Sequence, residues 1–366
     1  MNETEKRKAD HIRICLEKKP QAKQATTGFE DVYLVHNAVP EVDMESIKLS
    51  TTVFTHRFAA PLIVGALTGG TPEAQRINST IAEAVETLGL GMGVGSQRAA
   101  IENARVAETF AVARKKAPTA FLVANIGGIQ LAHGYGLKEI KRAVEAIDAD
   151  AVAVHLNALQ EAVQPEGQTG FKGVVSKLKE LVDTLDLPVI VKETGCGIAA
   201  EEARRLEALG VNGIDVSGLG GTSFAAVEYY RAIQNCDTVR STLGEAFWDW
   251  GIPTVASLVE TVQTVKLPVI ASGGVRTGVD AAKALALGAS LVSFSQPVLE
   301  VAVKSVEETR RLLSIMVEAL KTAMFLVGAE EVAQLARKPL VITGRTAKWL
   351  KTRGFNVEAY ARRRPD

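Results

Sequence analysis

Cysteine is scarce in this chain. Cys15, Cys196 and Cys236 are the only three in 366 residues, and they lack metal-ligand spacing. They form no disulfide framework, and a reducing compartment suits them. Net charge is also missing: Lys+Arg and Asp+Glu both number 42. That argues against a nucleic-acid binder working through long-range attraction, while leaving room for local sites that take small anions. No apolar run approaches the roughly 20 residues of a membrane-crossing helix. The opening residues MNETEKRKADHIR lack the apolar centre of a signal peptide. The expectation is a cytoplasmic protein with no membrane or nucleic-acid partner.

What is present is an ordinary globular composition, 47% hydrophobic and 23% charged, able to bury a large core. Eight short apolar runs recur: 61–68, 90–96, 121–127, 151–157, 188–194, 213–218, 268–274 and 290–295. They are rich in Val, Ile and Ala and lack polar alternation, as parallel strands covered on both faces do. Amphipathic helical segments such as 71–89 and 199–210 lie between them, the second ending at Gly210. The run ends Thr68, Ser96, Asn125, Asn157, Lys192, Ser217, Gly273 and Ser295 follow at intervals of 22 to 35 residues, apart from one gap of 56. That gap holds an aromatic-rich insertion, 227–253, read as an inserted loop on one βα connection. Eight βα units predict a closed (β/α)₈ barrel of the α/β class rather than an open doubly wound sheet. The barrel is expected over 61–327, with an N-terminal extension over 1–60 and a short C-terminal tail over 328–366. The tail's Arg362, Arg363 and Arg364 read as a solvated end.

In this fold the chemistry gathers at the C-terminal ends of the strands. Thr68, Ser96, Asn125 and Asn157 offer hydrogen bonds there, although any one of them reads equally as a helix cap. Lys192 follows the apolar PVIV, so it needs an anionic partner. That partner is either a salt bridge to Glu193 or Asp215, or an electron-rich cofactor ring. Two glycine turns, SGLGGTS (217–223) and SGGVRTG (272–278), precede SFSQP (293–297). Loops after strands seven and eight commonly hold phosphate through backbone N–H groups and a helix N-terminus. Thr222 and Arg276 could add a hydroxyl and a charge. HLNALQEAVQPEG (155–167) brings His155, Asn157, Gln160 and Glu161 together at the mouth. There Glu161 is a possible metal ligand and Gln160 a possible proton relay. Arg98 of GSQR suits phosphate oxygens. Taken alone, Arg7, Lys8 and His11 read as a solvated helix face.

At this point the chain resembles the type 2, flavin-dependent isopentenyl diphosphate isomerases. The matching segments run almost end to end. They include RKADHI (7–12), HNAVPEVD (36–43), GALTGGTPEAQRIN (65–78), GVGSQRAAIEN (93–103), HLNALQEAVQPEG, VKETGCG (191–197), WDWGIPT (248–254) and ASGGVRTGVDAAKALALGA (271–289). HLNALQEAVQPEG and GSQRAA are the most particular to that family. The resemblance implies interconversion of isopentenyl and dimethylallyl diphosphate with reduced FMN and Mg²⁺, NAD(P)H as reductant, and a homotetramer or homo-octamer. It implies FMN contacts from Ala66, Leu67, Thr68, Ser96, Asn125, Lys192, Ser217, Thr222, Gly274, Val275, Arg276, Ser295 and Gln296. The diphosphate substrate would meet Arg7, Lys8, His11, Ser96, Gln97, Arg98, Asn157 and Gln160, with the N-terminal extension completing its site. Glu161 would help hold Mg²⁺, and Gln160, Lys192 and His155 would be catalytic. Leu67, Ala158, Thr194–Cys196 and Gln296 depart from the family's usual residues. Cys196 stands in place of a bulky aromatic, which bears on packing near the flavin.

Three rivals give different expectations. The first is a different FMN-barrel oxidoreductase, acting on hydroxy acids or a dihydropyrimidine; a hydroxy-acid oxidase would need a late histidine as base, yet none follows His155. IMP dehydrogenase-like chemistry needs a loop cysteine, and the surroundings of Cys236 do not match that motif. A non-enzymatic flavin-binding protein would tolerate loss of Gln160 and Glu161.

Overall fold

The computed structural model describes residues 3–364. Eight parallel strands close a barrel: β1 Leu62–Val64, β2 Gly91–Gly93, β3 Leu122–Gly127, β4 Ala151–His155, β5 Val189–Lys192, β6 Gly213–Asp215, β7 Val269–Ala271 and β8 Leu291–Phe294. Each of the eight apolar runs supplies one strand. Closure is made by β8 on β1, with Val292 paired to Leu62 and Phe294 to Val64.

The strands lack polar alternation because both faces are buried. Ile63, Val123, Ala153, Ile190, Ile270 and Leu291 point inward and pack together inside the barrel. Their neighbours Leu62, Val64, Leu122, Val152, Val189, Val191 and Val292 point outward into the layer shared with the helices. The N-terminal end of the barrel is plugged by a hairpin, Thr51–Val53 and His56–Phe58. Both of its turn residues, Phe54 (φ 52°) and Thr55 (φ 64°), are left-handed, as a tight two-residue hairpin turn requires. Phe54 stacks on Phe121 at 5.9 Å, and Phe58 meets the same ring edge-on at 5.3 Å.

The helices follow the sequence signals. Pro72–Leu88 is capped by the Thr71 hydroxyl and stops at left-handed Gly89. Ala200–Ala208 precedes left-handed Gly210. The insertion differs from the expected loop. It begins earlier and forms two packed helices, Phe224–Gln234 and Thr238–Ala246, before the helix Thr254–Val262. Ring contacts among Tyr229, Tyr230 and Trp248 explain its aromatic content.

The chain ends are tied together. Val32–Leu34 pairs antiparallel with Leu340–Ile342. In the tail, Trp349 Nε1 and Arg353 both bond the fully buried Glu260. Arg363 corrects the reading of the terminal arginines as a solvated cluster. Its Nη1 donates to Ala286 O at 2.7 Å, and its guanidinium lies 4.3 Å from the Tyr360 ring centre.

The plug is far from the mouth, so stability and function should separate there. Phe58 is fully buried. Phe58→Ala is expected to cost about 3–5 kcal/mol of folding stability and to leave FMN affinity unchanged. Denaturant unfolding and a flavin titration of the folded variant check both halves.

Candidate active site

The strand ends open into one cavity, and all but one of the expected site residues line it. Its floor is set by two glycine turns pressed together. A Cβ on Gly273 would lie 2.2 Å from Gly218 O, and one on Gly221 would lie 2.4 Å from Gly274 N. Gly273 (φ 98°) and Gly274 (φ 70°) are left-handed, and so is Ser217 (φ 38°). Only glycine allows this approach. Among the described residues, the N–H groups of Gly274 and Val275 have no acceptor. Arg276 Nη2 is buried without a partner. A guanidinium nitrogen buried without a partner and bare amides at a glycine turn fit the phosphate of a bound FMN.

The start of the helix after this turn is braced from within the chain. The helix Gly278–Leu287 is capped from within: the Thr277 hydroxyl accepts Asp280 N, and the Asp280 carboxylate accepts Thr277 N and Arg276 N. Of the first three helix amides only Asp280 N is engaged; Gly278 N and Val279 N have no acceptor among the described residues, so the helix start and the glycine turn with Arg276 both remain for an anion. Thr222, Ser295 and Gln296 line the same region. Gln296 Nε2 donates to Cys15 O at 3.0 Å, tying the N-terminal helix Glu3–Glu17 to the turn after β8.

Lys192, at the end of β5, makes neither of the salt bridges considered for it. Its Nζ donates to Glu193 O at 2.6 Å. The Glu193 carboxylate turns back to accept the N–H groups of Thr194, Gly195 and Cys196 at 2.6, 2.7 and 2.5 Å. Burial pushes Glu193 up to about 7 against those bonds. Asp215 accepts from the Ser272 hydroxyl, and burial raises it despite the nearby Lys192. Lys192 is thus a cation in the cavity with no carboxylate in direct contact.

On the adjoining strands, His155 Nδ1 lies 2.7 Å from Asn125 Oδ1. The Asn125 amide is oriented by donation from Nδ2 to Val94 O, so Nδ1 carries the proton and Nε2 is bare. Burial, followed by Lys192, Lys8 and Arg7, lowers His155 to about 3. The imidazole is neutral. Gln97 is the residue outside the cavity, contrary to its expected role at the diphosphate. It is fully buried; its Nε2 donates to Ala143 O, and its Oε1 accepts Asn125 N at 3.0 Å. Placed one residue before the helix Arg98–Glu102, it faces the scaffold and holds Asn125 in register.

The N-terminal helix closes the other side. Arg7, Lys8 and His11 face the cavity together with Arg98, so they are not a solvated face. Lys8 is buried and donates to Ser96 O at 2.6 Å. Burial, helped by Arg7 and opposed by Glu102, lowers it to about 7. His11 Nε2 lies 2.9 Å from Glu228 Oε1, which also accepts Gln160 Nε2 at 3.2 Å. Arg231 Nη1 donates to the other oxygen at 2.6 Å, and its Nη2 donates to Glu166 Oε1 at 2.7 Å. Burial would raise Glu228, but His11 and Arg231 hold it down at about 2. Glu228 and Arg231 were not foreseen. Their i,i+3 spacing reads as an ordinary surface ion pair. Their burial depends on the insertion helix packing against the N-terminal one.

Glu161 is buried, and its carboxylate accepts Asn157 Nδ2 at 3.0 Å and Gln164 Nε2 and Gln168 N at 2.7 Å. Beside it, Asn157 Oδ1 and Gln164 Oε1 are buried oxygens without donors. The described residues contain no cluster of three His, Cys, Asp or Glu that could hold a metal alone. One carboxylate with amide oxygens fits Mg²⁺, which keeps waters and takes further ligands from a substrate's phosphates.

Comparison with known proteins gives the fold and the family. The FMN-dependent dehydrogenase family matches residues 157–342. A solved mandelate oxidase, 21% identical with a TM-score of 0.62 over 91% of this chain and 96% of that one, shares the fold. The isopentenyl-diphosphate delta-isomerase of Methanosarcina barkeri is 47% identical, over 98% of this chain and 97% of that protein. The isopentenyl-diphosphate delta-isomerase of Methanothermobacter thermautotrophicus is 46% identical, over 98% and 99%. With identity at that level along nearly the whole length of both partners, the chain belongs to the isopentenyl-diphosphate delta-isomerase family.

Proposed function

We propose that this chain interconverts isopentenyl diphosphate and dimethylallyl diphosphate with reduced FMN and Mg²⁺, in isoprenoid biosynthesis. The observation that supports this most is a pair of anion sites in one cavity. The first is the glycine turn with its unpartnered Arg276. The second is the wall of Arg7, Lys8 and Arg98, which shares the cavity with Glu161. The first suits a flavin phosphate and the second a substrate diphosphate with Mg²⁺. NAD(P)H as reductant and a cytoplasmic homotetramer or homo-octamer complete the reading on family resemblance.

Shifting the double bond needs one proton added and another removed, with no net redox change. The chain's own groups are poorly suited to both tasks. His155 is neutral and already donating, and Glu228 is held ionised by His11 and Arg231. FMN, when bound in its reduced form, supplies a nitrogen at position 5 that can give or take a proton. Lys192 would stabilise negative charge on the ring. Ala66, Leu67, Thr68, Ser96, Asn125, Ser217, Thr222, Val275, Ser295 and Gln296 would hold the flavin. Gln160, with its amide fixed between Glu228 and Asn157, would face the allylic carbons. His155 would offer its bare Nε2 to the bound molecules. Burial of the isoprene unit would orient it for reaction. Hydroxy-acid oxidation on the same fold is disfavoured, because no histidine follows His155 to act as the late base.

Anaerobic incubation with isopentenyl diphosphate, Mg²⁺ and reduced FMN is expected to yield dimethylallyl diphosphate without net flavin oxidation. An FMN-loaded protein that forms no allylic product would refute the assignment. Lys8 gives a pH signature. With its folded value lowered to about 7, the ammonium is present below that pH and lost as pH rises through it. KM for isopentenyl diphosphate should therefore climb above pH 7. Lys8→Gln should raise KM roughly 10- to 100-fold at pH 6, the worth of a hydrogen bond to a charged group, and flatten that climb relative to the parent protein.

A further inference from the structure

Beside Gln160 lies a small side chamber that none of the roles above uses. Its volume is about 10 Å³, and its walls include Leu159, Cys196, Leu219, Phe224, Trp248 and Trp250. Gln160, Thr194, Gly195 and Phe224 border both this chamber and the main cavity. The space suits one water or one methyl group.

Chemistry decides between those two. A buried water needs two to four polar partners. Here the Thr194 hydroxyl donates to Leu156 O, and the Ser223 hydroxyl donates to Trp248 O and accepts Ala226 N. Trp248 Nε1 donates to Gln21 O, and Gln160 Nε2 is taken by Glu228. Burial pushes the Cys196 thiol up, so the sulfur stays protonated and weakly polar. Carbon is the better occupant. The room exists because residue 196 is short. Its backbone N–H is pinned by the Glu193 carboxylate, so the loop is held back from filling the space itself.

We propose that this chamber is a subsite for an alkyl branch one carbon longer than the methyl of isopentenyl diphosphate, with Cys196 setting its limit. The chain then also isomerises 3-ethylbut-3-enyl diphosphate. The inference rests on the isomerase reading above. The reaction balances as for the parent compound: one proton joins the terminal methylene carbon, one leaves C2, and the diphosphate stays attached.

The test compares kcat/KM for 3-methylbut-3-enyl and 3-ethylbut-3-enyl diphosphate on the holoenzyme with reduced FMN and Mg²⁺. The parent protein is expected to prefer the methyl compound by less than about tenfold. Cys196→Phe should raise that preference by a further 10- to 200-fold, the range for one methylene in an apolar pocket. The methyl compound itself should stay within about threefold. Cys196→Met should give an intermediate ratio, and it carries the test if the Phe variant does not fold. A ratio that is the same in all three proteins, or above about 100-fold in the parent, overturns the subsite while leaving the isomerase reading intact. No turnover of the methyl compound by the parent protein overturns that reading and the subsite with it.

Discussion

The contact between the turns after β6 and β7 governs this molecule's mouth. With a Cβ at Gly273 only 2.2 Å from Gly218 O, the two backbones touch where side chains would otherwise stand. That contact is possible only because β6 and β7 are adjacent parallel strands, Val269 beside Ile214. It leaves amides exposed in a concave surface instead of filling it. The rest of the site is arranged around this floor. Thr222 and Ser217 flank it, Arg276 reaches toward it, and the N-terminal segment crosses it, with Ala22 N bonded to Gly221 O at 3.1 Å.

A second theme is cations without a carboxylate in contact. Lys192, Arg276 and Lys8 all face the cavity, while the carboxylates that could neutralise them are occupied elsewhere. Glu193 is taken by three backbone amides, Asp215 by Ser272, and Asp280 by a helix cap. Leaving charges unpaired in a semi-buried site costs stability unless anions arrive. A phosphorylated cofactor and a diphosphate substrate would provide them. The depressed values of His155 and Lys8 record the same surplus of positive charge, added to burial.

Much of this was legible in the sequence because the fold puts its chemistry at strand ends, and strand ends are visible as the close of apolar runs. Lys192 and the glycine turns stood out for that reason. What escaped notice depends on the direction of a side chain or on long-range packing. Gln97 sits in a motif beside true cavity residues, yet its amide turns toward Ala143. Glu228 and Arg231 look like a surface pair until two helices close over them. Asp280 reads as an exposed acid, although its carboxylate holds the amides of Arg276 and Thr277 just after the glycine turn. The pairing of Val32–Leu34 with Leu340–Ile342 joins segments too distant for any local pattern to reveal.

The central claim is that the glycine floor and Arg276 hold the phosphate of FMN. A flavin titration of the purified protein against Gly274→Ala tests it most directly, since a side chain there meets Thr27 and Gly220 in a left-handed position. The account requires saturable yellow binding by the parent and a loss of at least tenfold in the variant. A parent protein that takes up no FMN, or a variant that binds it equally well, would contradict it.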